Sequence, residues 1–420
     1  MSHPDGTTSG STPAPLSPVR LAYLVSHPIQ YQAPLLRRIA SEPDIDLTVL
    51  FGSDFSVRGY KDEGFGVEVS WDVPLLEGYR SKFLPNLRDT GGLSLSSPIS
   101  RGIYRALRNP DGSPAFDALW VHGYASVNAL HGILAANALG IPVLLRAEGW
   151  LADRIRAPWK LTLKKIFFRL LRHGITCTLP IGTVNAAYWR HYFGSSFPQF
   201  LMPYAVDNSY FARLAANAEP REPELRAELH LDPNRPVILF ASKLQTRKHA
   251  DHLVEAYRAF VENRPPADTP YLVIVGDGEE RANLEALCKA QNLTDVRFAG
   301  FRNQSELPRF FQMSSVFVLP SRHEPWGLIV NEAMAAGCPV IVSTDVGSHS
   351  DLVTHGVEGC VFPVGNVAAL TESLRTVFTT PEVPARMGES ARRRMKSWTF
   401  DHDVRGLRQA LAYATHKLRP

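Results

Sequence analysis

The chain has 420 residues, too many for one hydrophobic core, so two domains are expected. With 45% hydrophobic and 20% charged residues it has the composition of a soluble globular protein, which excludes a fibrous or wholly disordered chain. A net charge of +4 is small for this length; it does not imply a dedicated nucleic-acid binder and is compatible with anionic small molecules or an acidic membrane surface as partners.

The opening "MSHPDGTTSGSTPAPLSP" lacks the basic and apolar regions of a signal peptide, and its Ser/Thr/Pro/Gly content predicts a disordered tail over 1–18. From Val19 short apolar runs alternate with helix-like stretches: "VRLAYLV", "IDLTVLF", "FDALWVH", "IPVLLRA" and "ITCTLPIG" read as strands. His27, Gln30 and Tyr31 follow the first of these, where ligands of open α/β sheets gather. They also read as packing and turn residues. Residues Asp54 to Thr90, rich in Gly, Pro and aromatics, read as long loops. His122 ends the "FDALWVH" run, and Arg146 and Glu148 follow "VLL" either as a salt bridge or as ligand contacts. Asp153 to His173 is basic and aromatic; Lys165, Arg169 and Arg172 share one helical face, Ile166, Leu170 and His173 another. Such a helix suits an ordinary charged surface or a peripheral contact with anionic headgroups.

After "MPYAVDNSYF" the alternation restarts with "PVILFAS", "YLVIVG", "VRFAG", "VFVLPS", "CPVIVS" and "GCVFPV". Two strand–helix series predict two doubly wound α/β domains with parallel sheets, over 19–205 and 206–397, parted near 203–222 where prolines interrupt the pattern. Residues 398–420 read as a last helix packed back on the first domain. Cys177, Cys288, Cys338 and Cys360 sit in apolar runs without a C-x-x-C spacing, as expected of reduced core thiols in a cytoplasmic protein. No apolar run is long enough to span a bilayer.

Two carboxylates interrupt "SRHEPWGLIVNEAMAAGCPVI". Glu324 lies in the loop after the "VFVL" strand, followed by Pro325 and Gly327, which suit a tight turn. "LIVNEAMAA" has helical spacing, so Glu324 stands beside the free N–H groups of a helix start. Glu332 is about one turn into that helix, among Leu328, Ile329, Ala335 and Ala336. A carboxylate there is costly unless a donor satisfies it, and a ligand diol is one such donor.

Glu324, seven residues, Glu332 and the closing "AMAAGCPVI" resemble the E-x7-E signature of retaining, GT-B-type family 4 glycosyltransferases. The resemblance is strong from Lys243 to Phe362 and diffuse before it. It implies a GT-B fold: two Rossmann-like domains facing a central cleft, acceptor in the first and nucleotide sugar in the second. It implies that Glu324 and the amides of Trp326, Gly327 and Leu328 hold donor-sugar hydroxyls, and that Glu332 holds the ribose. Lys243 and Lys248 in "ASKLQTRKHA", with Arg247 nearby, resemble the family's R-L-x-x-x-K-G segment and would meet the diphosphate. Lys243 stands in place of the usual Arg, His249 in place of Gly. Gly276 of "VGDG" would lie beside the nucleotide, and Arg297 of "VRFAG" is implied as a base contact. In "TDVGSHSD", Ser348 and Asp351 replace the family's second Gly and Glu. "SHPIQY" resembles a subset of the family, with His27, Gln30 and Tyr31 as acceptor or sugar contacts; Arg146 and Glu148, by their place after a strand, are expected to join them. His122 would face the donor sugar across the cleft, and with Glu324 and Lys248 forms the implied catalytic set.

The implied reaction moves a sugar from a UDP- or GDP-sugar to a glycan, lipid-linked or small-molecule acceptor, with retention, in polysaccharide or glycoconjugate synthesis. The expected location is cytoplasmic, in contact with the inner membrane face if residues 153–173 bind lipid. No nucleic acid is expected, and no metal: the D-x-D triplets at Asp44 and Asp401 lie before a strand and at a helix start. Two alternatives stay open. One is a sugar phosphorylase or nucleotide-sugar epimerase of the same architecture; the other is a non-catalytic sugar-binding protein descended from a transferase.

Overall fold

The computed structural model describes residues 17–61, 68–69, 71–151 and 157–417. Residues 1–16 of the expected tail, 153–156 of the basic segment and 418–420 of the last helix lie outside the described residues. Two six-stranded parallel sheets carry the fold. The first holds β1 (Val19–Val25), β2 (Ile45–Phe51), β3 (Arg80–Phe83), β4 (Ala118–His122), β5 (Val143–Arg146) and β6 (Cys177–Thr178). The second holds β7 (Val237–Ala241), β8 (Tyr271–Val275), β9 (Val296–Gly300), β10 (Val316–Leu319), β11 (Val340–Ser343) and β12 (Gly359–Phe362). β7 and β8 are buried at every residue, and β1 at all but Arg20. Continuous apolar runs of this kind form where helices cover both faces of a parallel sheet.

The strand orders are β6-β5-β4-β1-β2-β3 and β9-β8-β7-β10-β11-β12. In each sheet the first strand lies beside the fourth, so the chain winds outward in both directions from that pair. The connections leaving the two central strands therefore diverge, and a crevice opens at their carboxyl ends. This places the loops after β1 and β4 at the lip of one domain, and those after β7 and β10 at the lip of the other.

The stretch Asp54–Thr90, read as loops, corrects to a mixture: it contributes the short helix Phe55–Arg58 and the sheet-edge strand β3, paired in register with β2 from Thr48↔Arg80 to Phe51↔Phe83. β3 is exposed at all four residues, so no apolar run announces it.

Each sheet is sandwiched between apolar layers. One face of the first sheet, including Ala22, Leu119 and Val121, packs on α2 (Val127–Ala138), α3 (Pro158–Leu171) and α4 (Thr183–Phe193). The other, including Leu21, Tyr23 and Val49, packs on α1 (Ala33–Ala40) and on Val404, Leu407, Ala410 and Leu411 of the last helix, here α8 (Phe400–Thr415). In the second domain α5 (Asn208–Ala218) and α7 (Leu328–Ala336) cover one face, and α6 (Ala250–Val261) the other. The chain crosses between domains at residues 201–207 and returns before α8. Gly406 is needed at the return: a Cβ there would lie 1.9 Å from the Leu201 carbonyl oxygen. All four cysteines are buried free thiols. Among the described residues no helix is long and apolar enough to cross a membrane.

Candidate active site

The loop after β7 turns through Thr246–Lys248 into α6. His249 takes the left-handed conformation at φ 51°, a position that glycine fills without strain. The turn buries Lys248 to 7% exposure. The loop after β10 is tied to this turn, the Arg322 amide donating to the Arg247 carbonyl at 2.8 Å. Glu324 is fixed by its own backbone: its amide donates to Asp345 O at 3.0 Å and its carbonyl accepts from the Gly347 amide at 2.9 Å. Its side chain is thereby aimed at the β7 loop. Glu324 Oε2 accepts from Lys248 Nζ and, at 3.2 Å, from Arg247 Nη1. Burial pushes the Glu324 carboxyl up, but the two cations outweigh it and hold it below its ordinary value. Burial lowers Lys248, opposed by Glu324.

Lys243, Arg247, Lys248, Glu324, Gly327 and Leu328 line one hollow of about 360 Å³. Gly327, at φ 84°, starts α7, and the Val346, Leu319 and Glu324 side chains leave no ordinary room for a Cβ. The start of α7 therefore borders the hollow through Gly327, Leu328 and Ile329, where the positive end of the helix favours an anion or a hydroxyl oxygen. The first domain contributes Gln30 and Trp71 to the same hollow. Trp71 escaped the sequence reading because nothing in a loop of irregular pattern points one aromatic across a cleft.

Glu332 sits on α7, 7% exposed, and accepts from Gln304 Nε2 at 3.1 Å. Burial raises its pKa to about 7, with Gln304 opposing. Gln304 lines a neighbouring hollow of about 230 Å³ together with Gln30, Tyr31, Val73, Pro74 and Tyr210. Gln30 thus borders both hollows.

In the first domain, His27 stacks on Phe55 at 4.6 Å and its Nδ1 lies 2.9 Å from Ser26 Oγ; burial lowers its pKa to about 4. His122 is held by Gln32, which accepts from Tyr23 Oη at 2.6 Å and faces the imidazole at 3.3 Å. Burial lowers His122 to about 3, so its ring is neutral near pH 7. His122 opens on a third hollow of about 210 Å³, shared with Ser26, Ser97 and Asn128, rather than on the one that holds Glu324. Glu148 accepts from Tyr204 Oη at 2.5 Å and Tyr31 Oη at 3.2 Å.

Three expected contacts are corrected. Arg146 is 1% exposed, and its Nη2 donates to Met202 O at 2.8 Å, Pro203 O at 3.0 Å and Asp403 Oδ1 at 3.0 Å. It fastens the domain crossing and α8, and reaches no ligand. For Trp326 the expected contact is the amide; its indole is core, 3% exposed, bonded to Asn331 Oδ1 at 2.9 Å and stacked on Trp398 at 5.9 Å. Arg297 is the second residue of β9, at the edge away from the cleft, and its guanidinium bonds the Leu229 and Thr294 carbonyls at 3.1 and 2.6 Å. Gly276 is buried behind the hollow: a Cβ would lie 1.9 Å from the carbonyl oxygen of Ser242, the residue that does line it. Asp351 is likewise engaged between domains, accepting from Thr183 Oγ1 at 2.6 Å and Thr183 N at 2.9 Å.

Residues 221–394 match the family Glycosyl transferases group 1. The chain is 32% identical over 177 residues to alpha-D-kanosaminyltransferase of Streptomyces kanamyceticus, covering 42% of this chain and 45% of the relative. The chain thus spans less than half the length of the curated relatives it matches. Two solved structures match nearly end to end. A glycosyltransferase from Rickettsia africae has a TM-score of 0.72 at 14% identity, over 94% of this chain and 98% of that one. Anabaena Alr3699/HepE in complex with UDP-glucose has a TM-score of 0.64 at 18% identity, over 94% and 98%. At these identities the likeness concerns the fold. The chain therefore has the GT-B fold, and within its second domain residues 221–394 match the glycosyl transferases group 1 family.

Proposed function

We propose that this protein transfers a glycosyl group from a nucleoside-diphosphate sugar to an acceptor hydroxyl, with retention at the anomeric carbon. The observation that supports this is the charge set of one hollow: Lys243, Arg247 and Lys248 against the single carboxylate Glu324, beside a helix start. Cationic side chains gathered at one hollow beside a helix start suit a diphosphate. The bond from the anomeric carbon to the β-phosphate oxygen breaks as the bond to the acceptor oxygen forms. The acceptor proton passes to the departing phosphate, and the nucleoside diphosphate leaves. Lys248 and Lys243 stabilise the charge that the leaving group gains, which is electrostatic catalysis. Glu324 accepts hydroxyls of the donor sugar, and Glu332 the ribose diol. His122, neutral and open to the first domain's hollow, serves the acceptor side by hydrogen bonding. No metal takes part in this scheme; chelator is expected to leave turnover unchanged. The cluster His249, Asp251 and His252 has metal-ligand residue types but stands at the start of α6.

The experiment is incubation with UDP- and GDP-sugars, beginning with UDP-glucose, the ligand of the HepE structure. Nucleoside diphosphate release that requires the protein, and falls at least a hundredfold in Glu324→Ala, is expected. Phosphate-dependent turnover would instead indicate a phosphorylase, sugar isomerisation with the diphosphate intact an epimerase, and a thermal shift without turnover a binding protein. The acceptor class is a glycan, lipid-linked or small-molecule hydroxyl in polysaccharide or glycoconjugate synthesis, reached from the cytoplasm.

A further inference from the structure

Helix α3 uses one of its faces to pack. Phe168 and Leu171 are buried, and the Lys164 ammonium lies 4.9 Å from the ring centroids of Tyr188 and Tyr192 on α4. A second apolar stripe points outward. Trp159, Leu163, Ile166 and Leu170 are 61%, 56%, 51% and 68% exposed. Their spacing of four, three and four residues puts them on one side of a helix, more than a quarter turn from the buried side. Exposed large apolar residues scattered singly need no explanation, but four in a line on one helix mark an interaction surface.

The charges around the stripe identify the partner. Lys165 and Arg169 flank it on one side and Lys160 on the other. From residue 157 to residue 206 the chain has six Lys or Arg and neither Asp nor Glu. The whole chain carries +4, so the residues outside this segment sum to −2. Positive charge is thus gathered on the side of the first domain that shows the stripe. A second copy meeting this surface symmetrically would set like charge against like charge, which disfavours a self-association. An anionic bilayer satisfies both features: the apolar stripe enters the headgroup–acyl boundary while the lysines and arginines reach sideways to phosphates.

We propose that α3 is a docking surface for an anionic lipid membrane, through Trp159, Leu163, Ile166 and Leu170 and the cations beside them. The proposal stands on this surface alone and does not depend on what the cleft transfers.

The test is co-sedimentation of the full chain with phosphatidylglycerol vesicles and with phosphatidylcholine vesicles at 0.1 M salt. Binding to phosphatidylglycerol at least tenfold tighter is expected, since each cation near an anionic surface contributes on the order of fivefold. Leu163→Ser/Ile166→Ser/Leu170→Ser and, separately, Lys165→Glu/Arg169→Glu should each weaken binding at least tenfold with an unchanged melting temperature, because all these side chains are exposed. Trp159 is the one exposed tryptophan of the seven. A blue shift of emission on phosphatidylglycerol, lost in Trp159→Phe, is therefore expected. Absence of binding, equal binding to both lipids, or variants that bind as the parent does would overturn the proposal. So would a concentration-dependent dimer dissolved by the triple serine variant, which would make a second copy the occupant.

Discussion

Glu332 is a carboxyl group with a place in the fold and a cost there. Its burial on α7 raises its pKa from 4.5 to about 7, so between those values the folded chain holds a proton that the unfolded chain has lost. Folding stability attributable to this group is therefore greatest below pH 4.5 and falls as pH rises towards 7, by about 3 kcal/mol in all. Glu332→Gln keeps the hydrogen bond to Gln304 possible and removes the titration. Denaturant unfolding between pH 5 and 8 should show the variant gaining on the parent as pH rises; parallel curves would contradict the assignment. Nucleotide binding should run the other way. A ribose diol donates to the carboxylate, so parent affinity for UDP should weaken as pH drops below 7, while the glutamine variant binds more weakly and without that slope. Isothermal titration at pH 6 and pH 8 checks both.

At the scale of elements, α8 is held by a charge pair rather than by apolar contact alone. Asp403 is 0% exposed, and among the described residues Arg146 is its charge-assisted partner, at 3.0 Å. Asp403→Ala leaves a buried guanidinium with two carbonyls for partners, and should destabilise the chain by about 3 kcal/mol in urea unfolding. The double variant Arg146→Met/Asp403→Leu should recover most of that loss, because an apolar pair suits the site; a loss below about 1 kcal/mol in the single variant would show the pair to be dispensable. The same pair shows what a sequence can and cannot reveal. Eleven strands stand out as apolar runs, and their ends locate Lys248, Glu324 and Gln30 at the cleft. β3 is hidden because an exposed edge strand needs no apolar pattern. Arg146 has the right position, at a strand's carboxyl end, but its partner lies 257 residues away, and only the folded chain brings Asp403 to it. Arg297 misleads for a simpler reason: its strand starts one residue before it, so it belongs to the opposite edge.

At the scale of the whole molecule, the charged hollow is not the property of one domain. Its cations and Glu324 come from the second domain, but Trp71 and Gln30 come from the first. The segment that carries Trp71 is tied across the cleft, Asp72 accepting a hydrogen bond from Ser305 Oγ, with Val73 and Pro74 against the hollow beside Gln304. The domains are latched behind it by Thr183 on Asp351 and by Gly182 against Trp326, where a Cβ on Gly182 would fall 2.2 Å from the ring. An indole beside the charged cluster gives a sugar ring an apolar partner and keeps water from the anomeric carbon, as closing an active site does. Trp71→Ala should accordingly raise KM for the sugar nucleotide at least tenfold and increase the share of turnover lost to hydrolysis. Affinity for UDP alone, which lacks the sugar, should change less than threefold. The melting temperature should hold, because Trp71 lies outside the apolar clusters that pack the sheets. Steady-state kinetics set beside UDP titration separates these quantities. Equal losses for UDP and for the sugar nucleotide would move Trp71 from the sugar to the nucleotide, and unchanged kinetics would leave the first domain's reach across the cleft without a role in donor recognition.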